Sequence, residues 1–353
     1  MNVELRPFSL SLARPLETAS GPIERRDGLL VVVEAGDVRG TGEATPLPGW
    51  TESIETCREA LESAAGRLRE RDGDAVADDR EAVLPDHDAA PAARHGLDLA
   101  LADLAARRER KPLYRQLGAD ERVDSVPVNA VIGEGTKKET VAAAEAAVAA
   151  GFECLKLKAG TRDLDADLER VVAVRDAVGP EARIRLDANG AWSRGEAERA
   201  FDALWTLDVE YVEQPLPADD LDGCASLRGG PVAVALDETL ARYSPVTVLE
   251  AGAADVLIVK PMVLGGPSRA RAVANVARGA DVVPVVTTTV DGVVARLGAV
   301  HLAASLPDLV PAGLATGGWL ADDLGADPVT VVAGRASVPQ GPGHGVDVEE
   351  GST

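Results

Sequence analysis

Cysteine is scarce in this 353-residue chain, and long apolar runs are absent. Cys57, Cys154 and Cys224 are widely spaced and form no Cys-x-x-Cys pair, which excludes a disulfide framework and a cysteine zinc site. We interpret them as small buried side chains of a protein in a reducing cytoplasm. No apolar stretch approaches the ~20 residues that cross a bilayer, and the N-terminus lacks the basic-then-apolar order of a signal peptide. We therefore expect a cytoplasmic protein without a membrane span.

Positive charge is scarce as well. Lysine and arginine total 36 against 58 acidic residues, so the formal net charge is −22. This charge repels nucleic acid and anionic membranes, and neither is an expected partner. It predicts instead a solvated acidic surface adapted to high salt, where counterions screen the mutual repulsion. Only six of the bases are lysines, which makes each lysine position informative.

Two regions of different character divide the chain. Residues 1–125 combine strand patterns at Val3–Leu12 and Gly28–Glu34 with a helical pattern from about Thr51 to Glu70, which predicts an α+β domain. Residues 126–328 alternate short apolar strands with Ala-rich helical stretches. The eight predicted strands are Val128–Val131, Cys154–Lys158, Ile184–Asp187, Tyr211–Glu213, Val234–Asp237, Val256–Val259, Val283–Thr287 and Ala312–Ala315. This alternation predicts a parallel sheet closed into a barrel.

Half of the lysines occur in motifs with acidic residues at the ends of predicted barrel strands. The residues of these motifs are Lys156, Lys158, Asp187, Glu213, Asp237 and Lys260. From Lys158 onward the steps are 29, 26, 24 and 23 residues, which is close to the length of a strand-plus-helix unit. Strand ends at this spacing point toward one mouth of the barrel, where such barrels carry their chemistry. The spacing therefore predicts one site with lysines on both sides of three acids.

Lys156 and Lys158 stand two positions apart on one predicted strand, so both side chains point into the barrel. Two neighbouring ammonium groups destabilise each other's charge, and this favours a neutral amine that can act as a base. The alternative is a pair of surface lysines. The flanking Leu155 and Leu157, together with the nearby acids, favour the first interpretation. Lys158 is the predicted base, with Lys156 and Lys260 as charged partners.

Asp187, Glu213 and Asp237 are hard oxygen ligands on three successive strands, which suits Mg²⁺, with Mn²⁺ as an expected substitute. Taken singly, each acid could serve as an ion-pair partner or a helix cap. Three acids at one barrel mouth need a cation, so we predict a metal site. Lys260 closes the set on the opposite wall, and an ion pair with Asp237 or Glu238 is compatible with that role.

The charges of these groups indicate the reaction. A divalent cation and two ammonium groups balance the three carboxylates and one substrate carboxylate. When a neutral Lys158 removes the proton next to that carboxylate, the enediolate becomes more negative, the lysine becomes positive and the net charge is unchanged. We therefore predict an enzyme that abstracts a proton α to the carboxylate of a small-molecule substrate. A metal-binding barrel without catalysis is the remote alternative.

The chain resembles the muconate-lactonizing branch of the enolase superfamily in the order and spacing of five motifs: Lys156-x-Lys158, Asp187-Ala-Asn189, Glu213-Gln-Pro, Asp237-Glu238 and Lys260-Pro. The resemblance covers nearly the whole chain. It implies a modified (β/α)7β barrel of the TIM type over residues 126–328. It also implies an α+β capping domain over residues 1–125, which residues 329–353 complete, and Mg²⁺ as the cofactor.

Within this branch, three further segments resemble those of o-succinylbenzoate synthases, lyases of menaquinone synthesis: Arg14–Ala19, Gly42–Gly49 and Thr287–Gly292. In the third segment, Thr and Asp stand where that family usually shows a Ser-rich sequence and a Glu. The resemblance implies syn-dehydration of 2-succinyl-6-hydroxy-2,4-cyclohexadiene-1-carboxylate. The alternatives are an N-succinylamino acid racemase, or both activities in one enzyme. A muconate cycloisomerase is less favoured, as is a dipeptide epimerase, because Ala312–Trp319 lacks an Asp-x-Asp pair.

Four polar residues are assigned to the surroundings of the metal or to the substrate side. Asn189 follows the first acid and is expected to orient the metal ligands. Glu238 follows the third acid, and Thr288 and Asp291 lie in the segment after the seventh predicted strand.

Three residues of neighbouring loops have two interpretations each. Gly265 and Gly266 either offer N–H groups to a substrate carboxylate or form a plain tight turn. Trp50 is either a lid residue over the barrel mouth or a core residue of the capping domain. A homo-oligomer is compatible with these predictions.

Overall fold

The first domain is built on an antiparallel sheet. The computed structural model describes residues 1–16, 22–70 and 80–348. Strands β1 (Asn2–Leu16), β2 (Ile23–Ala35) and β3 (Val38–Ala44) lie in the order β1-β2-β3. Both strands predicted in this domain fall within β1 and β2. Among the described residues, no helix is both long and apolar enough to cross a membrane.

Strand β2 separates two hydrophobic cores because its side chains alternate between the faces of the sheet. Leu29, Val31 and Val33 pack in the core of the capping domain. Leu30 and Val32 pack in the large core that continues into the barrel. All five are buried, so this sheet is covered on both faces and the two domains share a packed boundary.

Three helices are described in the first domain, and the first two pack against this sheet. They are α1 (Ile54–Arg69), α2 (Pro91–Arg108) and α3 (Leu113–Gln116). Ser53 is the N-cap of α1, and its hydroxyl accepts a hydrogen bond from Thr56 N at 3.2 Å, as is usual at this position. Helix α2 approaches β3 so closely that a Cβ on Gly42 would lie 2.0 Å from Gly96 O. Only glycine allows so close a contact. Helix α2 contributes residues to both hydrophobic cores and thus lies between the sheet and the barrel.

The second domain is a parallel barrel preceded by β4 (Ser125–Pro127). Its seven hydrogen-bonded strands, in chain order, are β5 (Ala130–Ile132), β6 (Cys154–Lys158), β7 (Arg183–Asp187), β8 (Val209–Glu213), β9 (Ala233–Leu236), β10 (Val256–Val259) and β11 (Val283–Val286). Parallel bridges from Thr287 to Gly313 and from Val128 to Ala312 close the sheet. The predicted fold class, a (β/α)7β barrel with an α+β capping domain, is confirmed.

Helices connect the strands and cover the outside of the barrel. They are α4 (Lys137–Ala149), α5 (Leu164–Val178), α6 (Arg194–Trp205), α7 (Leu221–Leu227), α8 (Pro245–Glu250), α9 (Pro261–Leu264), α10 (Pro267–Gly279) and α11 (Val293–Ala304). Strand side chains such as Leu155 and Leu157 point outward into the core beneath these helices. The alternate residues Lys156 and Lys158 therefore point into the barrel.

Two predicted strands are shorter than expected because the chain changes its hydrogen-bonding partner there. Val128 N donates to Gly334 O at 2.8 Å, whereas Asn129 N donates to Ala312 O at 3.0 Å. This change divides the predicted strand Val128–Val131 between a single bridge at Val128 and strand β5. The predicted strand Ala312–Ala315 is likewise reduced to its two bridges.

The C-terminal segment returns to both domains. Strands β12 (Val331–Val332) and β13 (Arg335–Ser337) form an antiparallel sheet with β4. Further along, Thr41 Oγ1 lies 2.7 Å from His344 Nε2, and His344 N donates to Asp103 Oδ1 at 2.8 Å. The segment therefore links the barrel to the capping domain. The last five residues of the predicted tail, 349–353, lie outside the described residues.

Candidate active site

The predicted acids lie at the carboxyl ends of three adjacent strands. Asp187 and Glu213 end β7 and β8, and Asp237 follows β9. In the register of the sheet, Lys158 is opposite Asp187, and Asp187 is opposite Glu213. All three residues are at least 96% buried. Lys260 follows β10, so a lysine stands on each side of a row of buried acids at the barrel mouth.

The lysines contact the acids directly. Lys156 Nζ lies 2.6 Å from Glu213 Oε1 and 2.9 Å from Asp187 Oδ2. Lys158 Nζ donates to the same Asp187 Oδ2 at 2.8 Å. At the other end of the row, Lys260 Nζ donates to Asp237 Oδ2 at 2.6 Å. The structure thus brings all six residues of the predicted site together in one charged cluster.

The pKa values within this cluster follow from burial and charge. Burial favours the neutral form of Asp187, but Lys156 and Lys158 outweigh it and hold the pKa of this carboxyl well below its usual range. Burial, aided by the charge of Asp187, raises the pKa of Glu213 to about 7 although Lys156 lies against it. Burial also disfavours the Lys156 cation, yet Asp187 and Glu213 raise its pKa well above the usual value. Lys156 is therefore a fixed positive charge.

Several carboxylate oxygens in the cluster have no hydrogen-bond partner. They are Glu213 Oε2, Asp237 Oδ1 and Glu238 Oε2. Burial raises the pKa of Asp237 to about 6 despite the nearby Lys260, so the protein alone stabilises its charge poorly. Unpaired buried oxygens on acids suit a hard divalent cation such as Mg²⁺. The donor set fits the predicted metal, which Asp187, Glu213 and Asp237 would hold.

Only one trio of ligand atoms converges within 4.8 Å in the part of the chain that the structure describes. It is formed by Asp86, His87 and Asp88 in an exposed loop of the first domain. The acids of the barrel mouth instead surround the ammonium groups of Lys156 and Lys260. Exposed acidic groups of this kind are common on a chain with net charge −22, and we assign the loop no role.

Asn189 and Glu238 extend the cluster toward solvent. Lys158 Nζ donates to Asn189 Oδ1 at 2.9 Å, and Asn189 Nδ2 donates to Glu238 Oε1 at 2.9 Å. Asn189 N also donates to Asp187 Oδ1 at 3.2 Å. Asn189 therefore contacts both Lys158 and the metal-ligand candidate Asp187, and Glu238 contacts Asn189. Their catalytic roles stay predictions.

Trp50 lies over the opposite lysine. Lys260 Nζ is 3.7 Å from the centroid of the Trp50 ring, which is a cation–π contact. A second contact of this kind joins Arg14 to the Trp319 ring at 3.9 Å. The first contact places the Trp50 ring beside Lys260, and a lid role for Trp50 stays a prediction. Residues 17–19 of the predicted segment Arg14–Ala19 lie outside the described residues.

The two adjacent glycines form a turn between α9 and α10. The N–H groups of Gly265 and Gly266 both donate to Pro261 O. A Cβ on Gly266 would lie 2.5 Å from Asp98 Oδ2, and Asp98 accepts a hydrogen bond from Ser268 N at 2.9 Å. This geometry fits the tight-turn interpretation, because both glycine donors already have a partner.

Thr288 and Asp291 are both buried, and Asp291 lies near Arg26 of the capping domain. Thr288 Oγ1 lies 3.1 Å from Thr316 Oγ1. Asp291 Oδ2 accepts a hydrogen bond from Thr289 N at 3.1 Å, and Asp291 Oδ1 lies 3.8 Å from Arg26 NH2. Both side chains are thus engaged with the protein itself, and contact with a substrate stays a prediction for each.

One residue of the site has no role in the sequence-based prediction. Gln214 follows Glu213, is fully buried and hydrogen-bonds to Asp237 N and Thr239 N with its side chain. Its position inside the Glu-Gln-Pro motif was the available signal. Its side-chain partners in Asp237 and Thr239 lie more than 20 residues away and leave no local pattern.

Comparison with known proteins agrees with this geometry. Residues 139–352 match the enolase C-terminal domain-like family. Residues 2–118 match the N-terminal domain of the mandelate racemase / muconate lactonizing enzyme family. Together the two matches cover both domains described above.

Individual relatives divide among several activities. Muconate cycloisomerase 1 of Rhodococcus opacus is 30% identical over 361 residues, covering 99% of this chain and 95% of its own length. An o-succinylbenzoate synthase of Thermobifida fusca is 38% identical over 232 residues, covering 64% of this chain and 69% of its own length. The dipeptide epimerase of Enterococcus faecalis V583, solved with Mg and the dipeptide L-Leu-L-Tyr, superposes with a TM-score of 0.81 at 26% identity and 98% coverage of both chains.

The matches to both domains, the barrel with its capping domain and the row of acids between lysines agree with one another. They identify an enzyme that depends on Mg²⁺ and abstracts the α-proton of a carboxylate, without selecting among cycloisomerase, epimerase and synthase. The chain belongs to the mandelate racemase / muconate lactonizing group of the enolase superfamily.

Proposed function

We propose that the protein is an o-succinylbenzoate synthase that dehydrates 2-succinyl-6-hydroxy-2,4-cyclohexadiene-1-carboxylate to 2-succinylbenzoate, a step of menaquinone synthesis. The observation that carries the proposal is the pair Lys158 and Lys260 on opposite walls of the mouth. They flank buried carboxylates, two of which, Glu213 and Asp237, have unpaired oxygens. In the sheet, β6 and β10 are separated by β7, β8 and β9, which leaves the substrate between the two lysines.

Lys158 is the proposed base. Its side chain is 31% exposed, compared with 15% for Lys156 and 12% for Lys260, so it is the site lysine that a substrate in the mouth reaches most easily. Lys260 supplies a positive charge on the opposite wall. Mg²⁺, when bound, would supply two further positive charges against the substrate carboxylate.

Lys158 alone carries out both proton transfers of the reaction. The Lys158 amine takes the α-proton, and the electron pair of the C–H bond moves into an enediolate. The C–O bond to the ring hydroxyl then breaks, and Lys158 returns the proton so that the hydroxyl leaves as water. The ring becomes aromatic, and the lysine is again neutral. One base on one face is sufficient, which is what syn-dehydration requires.

Part of the barrel mouth is lined by uncharged residues, and this favours a substrate without an ammonium group. Val131 is the middle residue of β5, is 38% exposed and lies opposite Lys156 in the sheet register. Thr287 and Gly313 pair at the neighbouring strand ends. None of the three carries charge, and Ala312–Trp319 has no Asp-x-Asp pair. A dipeptide's amino end would find no counter-charge there, so a dipeptide epimerase is less favoured. The 38% identity to the Thermobifida fusca synthase also supports the proposal.

The second candidate function is N-succinylamino acid racemisation, alone or beside dehydration. Lys260 favours it, because a lysine opposite Lys158 could protonate the second face of the same carbon. A succinylated amine carries no ammonium group and is compatible with the uncharged residues of the mouth. Muconate cycloisomerisation stays a weaker candidate, supported by the relative from Rhodococcus opacus.

Two lysine variants test these roles. Lys158→Ala should abolish all activity, because it removes the base and the returning acid. Lys260→Arg keeps a positive charge but cannot act as a base near neutral pH, so it should retain part of the dehydration and lose racemisation. The measurements are 2-succinylbenzoate formation and the loss of optical activity of an N-succinyl amino acid, which follows racemisation directly, with a dipeptide as the negative control. Dehydration by Lys158→Ala, or racemisation by Lys260→Arg, would contradict the assignment.

A further inference from the structure

Gln214 adopts a backbone conformation that is unusual for its residue type. Its φ is +43°, in the left-handed region that residues other than glycine and asparagine rarely adopt. It follows Glu213 directly and is 0% exposed. Such strained residues persist where the surrounding structure requires them, and they concentrate at functional sites. The turn directs the Gln214 side chain sideways, toward the next strand end.

The side chain of Gln214 binds the segment that carries the third acid. Its Oε1 accepts hydrogen bonds from Asp237 N and Thr239 N, both at 3.1 Å. Its Nε2 donates to Leu216 O and to Thr239 Oγ1, both at 2.9 Å. Two backbone donors on one side and a carbonyl acceptor on the other fix the orientation of the amide. Every polar atom of this buried group therefore has a partner.

The main chain of Gln214 reaches the neighbouring strand ends on both sides. Gln214 N donates to Ala235 O at 2.8 Å, two residues before Asp237. Gly190 N donates to Gln214 O at 2.7 Å, three residues after Asp187. One residue therefore connects the ends of β7, β8 and β9, which carry the three acids.

We infer that Gln214 is a positioning residue that sets the spacing of the metal-binding carboxylates, above all of Glu213 and Asp237. This inference rests on the proposed metal site. Mg²⁺ demands ligand oxygens at about 2.0–2.1 Å in near-octahedral geometry, so small displacements of a strand end weaken its binding. Gln214 prevents such displacement because it is covalently next to Glu213 and hydrogen-bonded to the backbone of Asp237.

Binding of Mn²⁺ alone, followed by electron paramagnetic resonance, tests the inference without an activity assay. Gln214→Leu preserves the approximate volume but leaves the N–H groups of Asp237 and Thr239 without an acceptor. Its Kd for Mn²⁺ should rise about 10- to 100-fold, as is typical when a partner of a metal ligand is lost. Thr239→Val is the matched control, since it removes a hydroxyl from the same cluster and keeps both backbone bonds. Its Kd should change by less than about threefold.

The outcomes separate this inference from the proposed function. Asp187→Asn should lose the Mn²⁺ site, and a wild type that binds no Mn²⁺ would overturn the metal site and this inference together. A wild type that binds Mn²⁺ and a folded Gln214→Leu with unchanged Kd, even at a lower Tm, would overturn the inference alone. If circular dichroism shows Gln214→Leu unfolded, Gln214→Asn decides. That variant keeps the amide but is one methylene too short to reach Asp237 N, and an unchanged Kd there would also overturn the inference.

Discussion

The fold holds the buried side chain of His301 in its neutral form. Tyr114 N donates to His301 Nδ1 at 3.2 Å, and His301 Nε2 lies 3.1 Å from His344 O. The imidazole also stacks on the Tyr114 ring with a centroid distance of 5.9 Å. Burial lowers the pKa of His301 to about 3, because protonation would place a charge in the core and remove the acceptor for Tyr114 N.

We predict that His301 contributes to acid unfolding. An unfolded histidine has a pKa near 6.5, so this contribution to stability is complete above pH 6.5 and is lost as the pH falls toward 3. Each pH unit in this window should cost up to about 1.4 kcal/mol. Urea denaturation of wild type and His301→Gln between pH 7 and 4 measures the effect. The variant should be less stable at pH 7 but less sensitive to acid, and equal slopes for both proteins would contradict the prediction.

A residue of the capping domain fixes the start of the barrel helix α10. Gly266 has a φ of +119°, and Asp98 of α2 lies where a Gly266 side chain would stand. Asp98 also caps the first turn of α10 through Ser268 N. The start of this helix therefore depends on Asp98 of the capping domain. It also depends on Gly266, because the conformation of the turn requires a glycine there.

We predict that Gly266→Ala lowers the free energy of unfolding by about 1–3 kcal/mol, since the new Cβ strains the backbone and meets Asp98. Gly66→Ala is the matched control. Gly66 lies inside α1 with no heavy atom within 4 Å of an added Cβ, so this variant should stabilise the protein by roughly 0.5–1 kcal/mol. Urea denaturation compares the two variants. Effects of the same sign would refute this account of the turn.

Strand alternation and strand-plus-helix spacing are local patterns, and they predicted the barrel and the row from Lys158 to Lys260. Contacts between distant segments could not be predicted in this way. Glu43 accepts hydrogen bonds from Gly292 N at 2.7 Å and Ala295 N at 2.9 Å, which fixes the start of α11 from the capping domain. No local pattern near Glu43 indicates this partner, and the same holds for the side-chain contacts of Gln214.

The charge of the whole molecule governs its behaviour in solution. With a net charge of −22, the surface repels itself wherever counterions do not screen it. The Debye length grows from about 3 Å at 1 M salt to about 30 Å at 0.01 M. At low ionic strength the repulsion therefore acts between acids over the whole surface.

We predict that the melting temperature rises with salt across this range, and that activity requires molar salt. Calorimetric scans and activity assays at 0.01 M and 1 M sodium chloride measure both effects. A melting temperature that is the same at both concentrations would contradict the proposed adaptation to high salt.

The main proposal is that Asp187, Glu213 and Asp237 hold a Mg²⁺ ion on which Lys158-dependent dehydration relies. Its most direct test is 2-succinylbenzoate formation by wild type after exhaustive chelation and again after Mg²⁺ is returned, beside Glu213→Gln with Mg²⁺ present. We predict loss of turnover, recovery with Mg²⁺, and a variant that loses most activity because a neutral amide supplies oxygen without charge. Full turnover after exhaustive chelation would contradict it.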